Sequence, residues 1–189
     1  MAAPRNQATF IRKLRAPVSE SAIASWYAEA DLLDSYAVTI DRQITTSVHG
    51  LVVQTLASHP TWLQALFHLR DALVRPFGVM TTKVMKDAAQ PHERIDFFRI
   101  QSETPDEIIL GDDDRHLNFR VSFLKRTGPN GTEVIATTVV HINNGFGRFY
   151  ISLIAPFHRL VVRKSLKRLA QTLAGEHDPI CPALGIPIP

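Results

Sequence analysis

Cysteine is almost absent. Cys181 is the single thiol in 189 residues, which excludes an intrachain disulfide and any cysteine-built metal cluster and fits a reducing compartment. A cytoplasmic location is therefore expected. Long hydrophobic runs are missing as well. None approaches the roughly 18 residues that span a bilayer, and the longest, around Phe149 to Phe157, is interrupted by Ser152 and Pro156, so no stable membrane insertion is expected. The chain has no Gly-x-Gly-x-x-Gly, no P-loop and no Gly-x-Ser-x-Gly, and its eight histidines form no His-x-x-x-His or His-Glu-x-x-His pair. Those patterns cradle phosphates, raise a nucleophile or hold zinc, so no cofactor and no metal are expected. A large excess of one charge is lacking too. The formal charge of +3 is too small to argue for nucleic acid without a motif or patch. Acids are absent before Glu20 while Arg5, Arg12, Lys13 and Arg15 are present; with no apolar secretory core behind them, these read as a mobile basic arm.

What is there suits one globular domain. Hydrophobic residues make up 45% and charged residues 21%, enough for a sizeable core. Neither an internal repeat nor a long low-complexity stretch is present. The expected layout is an arm over 1–30, a single domain over 31–175 and a proline-rich tail over 176–189, in which Pro179, Pro182, Pro187 and Pro189 favour an extended strap. Ser35 to Asp41 alternates as a strand, and Ser47 to Ser58 carries a helical signal. Pro60 opens a clearer helix with Trp62, Ala65, Leu66, Leu69 and Leu73 on one face, ended by Pro76 and Gly78. Val79 to Lys86, Ile95 to Gln101, Glu107 to Leu110, His116 to Arg126 and Glu133 to Ile142 read as strands. The turns between the later ones are short, and Gly128-Pro129-Asn130-Gly131 is a hairpin signal, so these strands must pair antiparallel. Asn143-Asn144-Gly145 then caps a terminal helix. If continuous to Ala174, it is about 45 Å long.

That helix carries two apolar stripes. Phe146, Phe149, Tyr150, Leu153, Ile154, Phe157, Leu160 and Val161 form one; Val162, Leu166, Leu169 and Leu173 form another, nearly opposite. Pro156 predicts a kink or break between them. The expectation is that residues 146–161 clamp the sheet, that Arg163, Lys164, Lys167 and Arg168 stay in water, and that the second stripe is covered by the N-terminal region or the tail rather than by lipid. Expected core members are Trp62, Leu66, Leu69, Phe97, Leu117, Phe119, Phe123, Phe149, Leu153 and Phe157.

Three constellations bear on chemistry. Alternation from His116 places His116, Asn118, Arg120 and Ser122 on one face of a strand and Leu117, Phe119, Val121 and Phe123 on the other. The polar row is read first as the wet side of a half-buried sheet. Its alternative is a site in which His116 moves a proton and Arg120 holds an anion. Six acids crowd Glu103 to Asp114, without the alternating ligands and turn glycine of a calcium loop; they read as solvated turns. The bases Arg159, Arg163, Lys164, Lys167 and Arg168, with no acid among them, read as the exposed side of a helix.

Three ordered segments resemble the DUF2867 family: Leu110-Gly111-Asp112-Asp113-Asp114-Arg115-His116-Leu117-Asn118-Phe119-Arg120-Val121-Ser122, the run from Leu69 to Gly78, and Gly147-Arg148-Phe149-Tyr150 through Pro156-Phe157-His158-Arg159. The resemblance runs from about Ser35 to Ala170. The family pattern more often has Asp where this chain has Asn118, which removes that carboxylate from any acid–base role. The resemblance implies a START/Bet v 1-like (SRPBCC) helix-grip fold, an α+β domain whose antiparallel curved sheet packs on a long C-terminal helix. Related domains hold apolar ligands between sheet and helix. The function expected is therefore the binding of a small, largely apolar ligand, with Phe97, Arg99, Phe119, Phe149 and Leu153 as the lining. The alternatives are a cyclase- or lyase-like enzyme using His116 and Arg120, and a non-catalytic accessory or protein-interaction domain. Fold alone decides none of these.

Overall fold

The computed structural model describes residues 11–57, 94–96, 98–129 and 131–174. Among them, seven strands form one antiparallel sheet: β1 (Ile11–Lys13), β2 (Leu32–Ile40), β3 (Arg94–Ile95), β4 (Phe98–Glu103), β5 (Glu107–Asp113), β6 (Leu117–Gly128) and β7 (Gly131–Ile142), in the order β1-β2-β7-β6-β5-β4-β3. Among the described residues two α-helices accompany it, α1 (Val48–Ala57) and α2 (Gly145–Ala174). The α+β architecture expected from the sequence, a curved antiparallel sheet with a long C-terminal helix, is what the chain forms. The helix expected from Pro60, the strand over 79–86, the side chains of Trp62, Leu66, Leu69 and Phe97, and the tail all lie outside the described residues.

The sheet is built around the β6–β7 hairpin. Its 12-residue arms run in unbroken register from Leu117↔Ile142 to Gly128↔Gly131, and Gly131 takes a φ of +129° that glycine alone adopts readily. β2 then lies along the far side of β7, Leu32↔Val140 through Ile40↔Thr132.

Alternation assigns the two faces. Tyr36, Val38, Ile40, Ile108, Leu110, Val121, Phe123, Val134 and Ala136 face α2 and form the main core with Leu166, Leu169, Ala170 and Leu173. The reverse face is covered as well. The segment 14–30 folds back over it, with Leu14 and Val18 on Ala37, Leu124 and Ile135, and Ile23, Trp26 and Tyr27 on Ile109 and Val139. A sheet with both faces covered has no wet side, which is why Val134 to Val140 are buried without interruption. The expected N-terminal arm thus contributes an edge strand and a lid for the reverse face.

Both helix starts carry side-chain caps. Ser47 Oγ accepts from Gly50 N at 3.1 Å ahead of α1, and Asn144 Oδ1 accepts from Gly147 N at 3.0 Å ahead of α2. The Asn143-Asn144 pair also ties α2 to the β5–β6 turn. Asn143 N donates to the His116 carbonyl at 2.9 Å, Asn143 Nδ2 to the Asp114 carbonyl at 2.7 Å, and Asn144 Nδ2 to the Arg115 carbonyl at 2.9 Å.

The terminal helix corrects the sequence reading. It is continuous from Gly145 to Ala174 through Pro156. The hydrogen bond that Pro156 removes would have gone to Ser152, and both residues are exposed, so water can serve the freed carbonyl. The stripes are also exchanged. Leu166, Leu169 and Leu173 are buried against the sheet, whereas Phe149, Phe157 and Leu160 are exposed by 58%, 38% and 43%. Gly147, Ala155, Leu166, Leu169 and Leu173, with His158 and Val162 between them, recur on one side of a single uninterrupted helix. In the first half that side carries Gly147, Ile151, Ala155 and His158, and at its start the helix lies so close to the β5–β6 turn that a Cβ on Gly147 would sit 2.1 Å from the His116 carbonyl oxygen. Large aromatics cannot fit there and turn outward.

Candidate functional site

A charged group stands in the apolar phase of β2. Asp34 falls in step with Leu32, Tyr36, Val38 and Ile40, and so faces α2, where it is only 2% exposed. Two cations meet it. Arg159 of α2 donates through Nε to Oδ2 at 2.6 Å, and Lys13 of β1 brings Nζ to 2.8 Å from Oδ1. Burial alone would raise the Asp34 pKa, but the hydrogen bonds and charges of Lys13 and Arg159 outweigh it and hold the carboxyl below its usual range. The adjacent His158 places Nε2 at 3.0 Å from Thr138 Oγ1, and Thr138 is the cross-strand partner of Asp34. Desolvation of the imidazole pushes its pKa down, with Arg159 adding to the effect and Asp34 opposing it. His158 is therefore neutral at pH 7.

The cluster has one carboxylate, two cations that remain half exposed and one neutral imidazole. Its net charge is positive, on the helix-facing side of the sheet.

The sheet register places this cluster beside apolar surface that is only partly buried. Ile100↔Leu110, Leu110↔Val121, Val121↔Thr138 and Thr138↔Asp34 form one row across five strands, about 19 Å from end to end. One step along lies Phe119, paired with Val140, which pairs with Leu32. Beneath the second half of α2 the core is closed, Leu166 being 0% exposed. Beneath the first half, Leu117, Phe119 and Ile151, and towards the β4 side Phe98 and Ile100, are only partly buried. Phe98 and Phe119 meet edge to face at 6.1 Å.

His158 makes the fold pH-sensitive. Its folded-state pKa lies below that of the unfolded chain, so the unfolded state takes up the proton first as pH falls. Stability is complete above roughly pH 6.5, the ordinary histidine value, and is lost as pH drops towards the depressed one; Asp34 adds a separate loss in the acid range. Melting temperatures between pH 8 and pH 5 should fall on the acid side, and His158→Gln should flatten the first limb while leaving the second.

The residues singled out in the sequence are placed as follows. His116 packs edge-on against Phe146 at 4.7 Å, its Nδ1 accepts from Asn144 Nδ2 at 3.1 Å, and it anchors the start of α2. Arg120 lies on the reverse face, in a two-point bond to Asp113 at 2.8 and 2.9 Å, with its guanidinium carbon 4.1 Å from the centroid of the Trp26 ring. Asp113 is held below the usual carboxylate range by that arginine. His116 and Arg120 share no partner among the described residues, so the structure does not bring them together. Ser122, of the same row, is buried and bonded to Glu107 at 2.5 Å. Phe119 faces α2, Leu153 is part-buried, and Phe149 points to solvent. Arg99 is exposed and alternates with Phe98 and Ile100, which face the core. Phe97 lies outside the described residues.

Asp34, Lys13, Thr138 and His158 were missed as site residues, and Arg159 was read only as part of an exposed basic face. One signal was present, an aspartate in the apolar phase of an alternating strand. Among the described residues no three His, Cys, Asp or Glu side chains gather as a metal site, and no helix is long and apolar enough to cross a membrane. The chain matches no curated protein and no solved structure. The profile of DUF2867, described as proteins of unknown function, matches residues 26–165, most of the domain, and the chain belongs to that family.

Proposed function

We propose that the protein binds a small, largely apolar molecule bearing one anionic oxygen group, between the sheet and the first half of α2, in the manner of SRPBCC-like helix-grip domains. The observation that carries this reading is the row running from part-buried Ile100 and Phe119 to the Asp34–Arg159–Lys13 cluster. Ligand sites pair an apolar lining with a few convergent polar groups. Two cations against one carboxylate leave a surplus positive charge for the ligand's head. Arg159 uses only Nε on Asp34 among the described residues, which leaves its Nη pair to grip an oxyanion. Neutral His158 and Thr138 can exchange a hydrogen bond with a second oxygen.

The test uses 1-anilinonaphthalene-8-sulfonate, an apolar fluorophore with an anionic head, displaced by decanoate and by decanol. Saturable binding near one site per chain is expected, with decanoate the better competitor. Arg159→Met should weaken binding about tenfold, the worth of one charge-assisted contact, with an unchanged far-UV spectrum. Lack of saturable binding, or a folded Arg159→Met protein that binds as well as the parent, would overturn the reading.

A further inference from the structure

The outward side of α2, opposite the polar cluster, changes character along its length. Phe149, Phe157 and Leu160 stand exposed over its first half, about 16 Å of ridge at 1.5 Å per residue. Arg163 and Lys167 continue the same side, both exposed, with Lys164 and Arg168 beside them. The whole of α2 holds six Arg and Lys residues and no acid. Large apolar side chains scattered singly on a surface need no explanation, but three in line on one helix, followed by bases of a single sign, form an amphipathic docking surface.

We propose that this side of α2 seats the protein on an anionic lipid surface, with Phe149, Phe157 and Leu160 entering between headgroups and Arg163 and Lys167 meeting the phosphates. Charge selects this occupant. A face with no acid along thirty residues of helix complements a surface that is uniformly negative, whereas protein interfaces interleave both signs and deplete lysine at their centre. Shape agrees, since a convex ridge needs no matching groove in a fluid bilayer. The order along the axis implies a tilted seat, the apolar end deeper. It stands independently of the ligand reading, because none of these five side chains belongs to the Asp34 cluster.

Flotation with phosphatidylcholine vesicles, with and without 30% phosphatidylserine, tests it at 50 and 500 mM salt. Binding is expected only to the anionic vesicles and should fall about tenfold or more at high salt, where the screening length shrinks to a few ångströms. Phe149→Asp with Leu160→Asp should abolish flotation, and Arg163→Glu with Lys167→Glu should weaken it about tenfold or more. All four positions are exposed, so circular dichroism and melting temperature should be unchanged, and a second pair, Phe149→Ser with Leu160→Ser, guards against any loss of fold. Absence of flotation on anionic vesicles at low salt would overturn the proposal. So would equal binding by the folded variants, or a doubled solution mass that Phe149→Asp relieves, which would assign the face to a second copy of the chain.

Discussion

Gly147→Ala should destabilise the protein by at least about 3 kcal/mol, a cost at the upper end for a single added methyl. In a chain of this size that corresponds to a fall in melting temperature of roughly 6–12 °C. The new Cβ would lie 2.1 Å from the His116 carbonyl oxygen and 3.0 Å from its carbon. Both are backbone atoms, so no side chain can rotate out of the way. Relief requires lifting the first turns of α2, which are tied down by the Asn143 bond to His116 just ahead of the helix and by the Ala155 contact with Leu32 and Val140. Gly145→Ala is the control. Its Cβ would meet nothing within 4 Å, and since alanine is the better helix former that variant should be neutral or slightly stabilised. Thermal melts of the two proteins side by side give the answer, and equal melting temperatures would show that α2 does not dock through this contact.

Glu107→Ala should cost about 3 kcal/mol, for a different reason. Glu107 is buried on the reverse face, where Oε1 accepts from Ser21 Oγ and Ser122 Oγ, each at 2.5 Å, and Oε2 accepts from Ala22 N at 2.9 Å. Truncation strands two hydroxyls and a backbone N–H in a place with little water, each worth about 1–3 kcal/mol when unpaired, less what the two serines recover by pairing with each other. The loss is local as well as global. The segment 14–30 is held to the sheet by this carboxylate, by the Arg126–Glu20 ion pair, by the His141–Trp26 bond at 2.9 Å and by Trp26 over Arg120. Amide exchange within 18–26 should therefore accelerate far more than exchange in β6. A uniform increase across both would mean that the segment is not a separate unit.

The parts of this fold that were legible in the sequence are those fixed by neighbours in the chain. The Gly128–Gly131 turn and the alternation of Leu117 to Phe123 declare β6 and its hairpin, and Asn144 announces the start of α2 three residues ahead of the N–H it caps. The side of α2 that packs was misread because its first half is chosen for closeness. Gly147 and Ala155 give a weak hydrophobic signal where the backbones approach, while Phe149 and Phe157 give a strong one where they do not. The site was hidden by distance. Asp34 and Arg159 are separated by 125 positions, and nothing local in β2 announces its counter-ion. The polar row on β6 reads as the wet side of a sheet, but its Arg120 and Ser122 are buried under the 14–30 segment, which lacks helical or strand periodicity, while His116 and Asn118 stay partly exposed.

The pairing of β2 with β7 also sets an order in time. Ser35 and Thr137, bonded at 2.8 Å in the middle of that ladder, are 102 positions apart, whereas β5, β6 and β7 are joined by short turns. Loop closure favours the local pairs, so the meander should form first and β2 should be added last. During synthesis β2 is made about a hundred residues before its partner. At 5–20 residues per second it waits roughly 5–20 s with Leu32, Tyr36, Val38 and Ile40 uncovered. For that interval a strand that ends up interior, between β1 and β7, is the part of the nascent chain with most need of a chaperone.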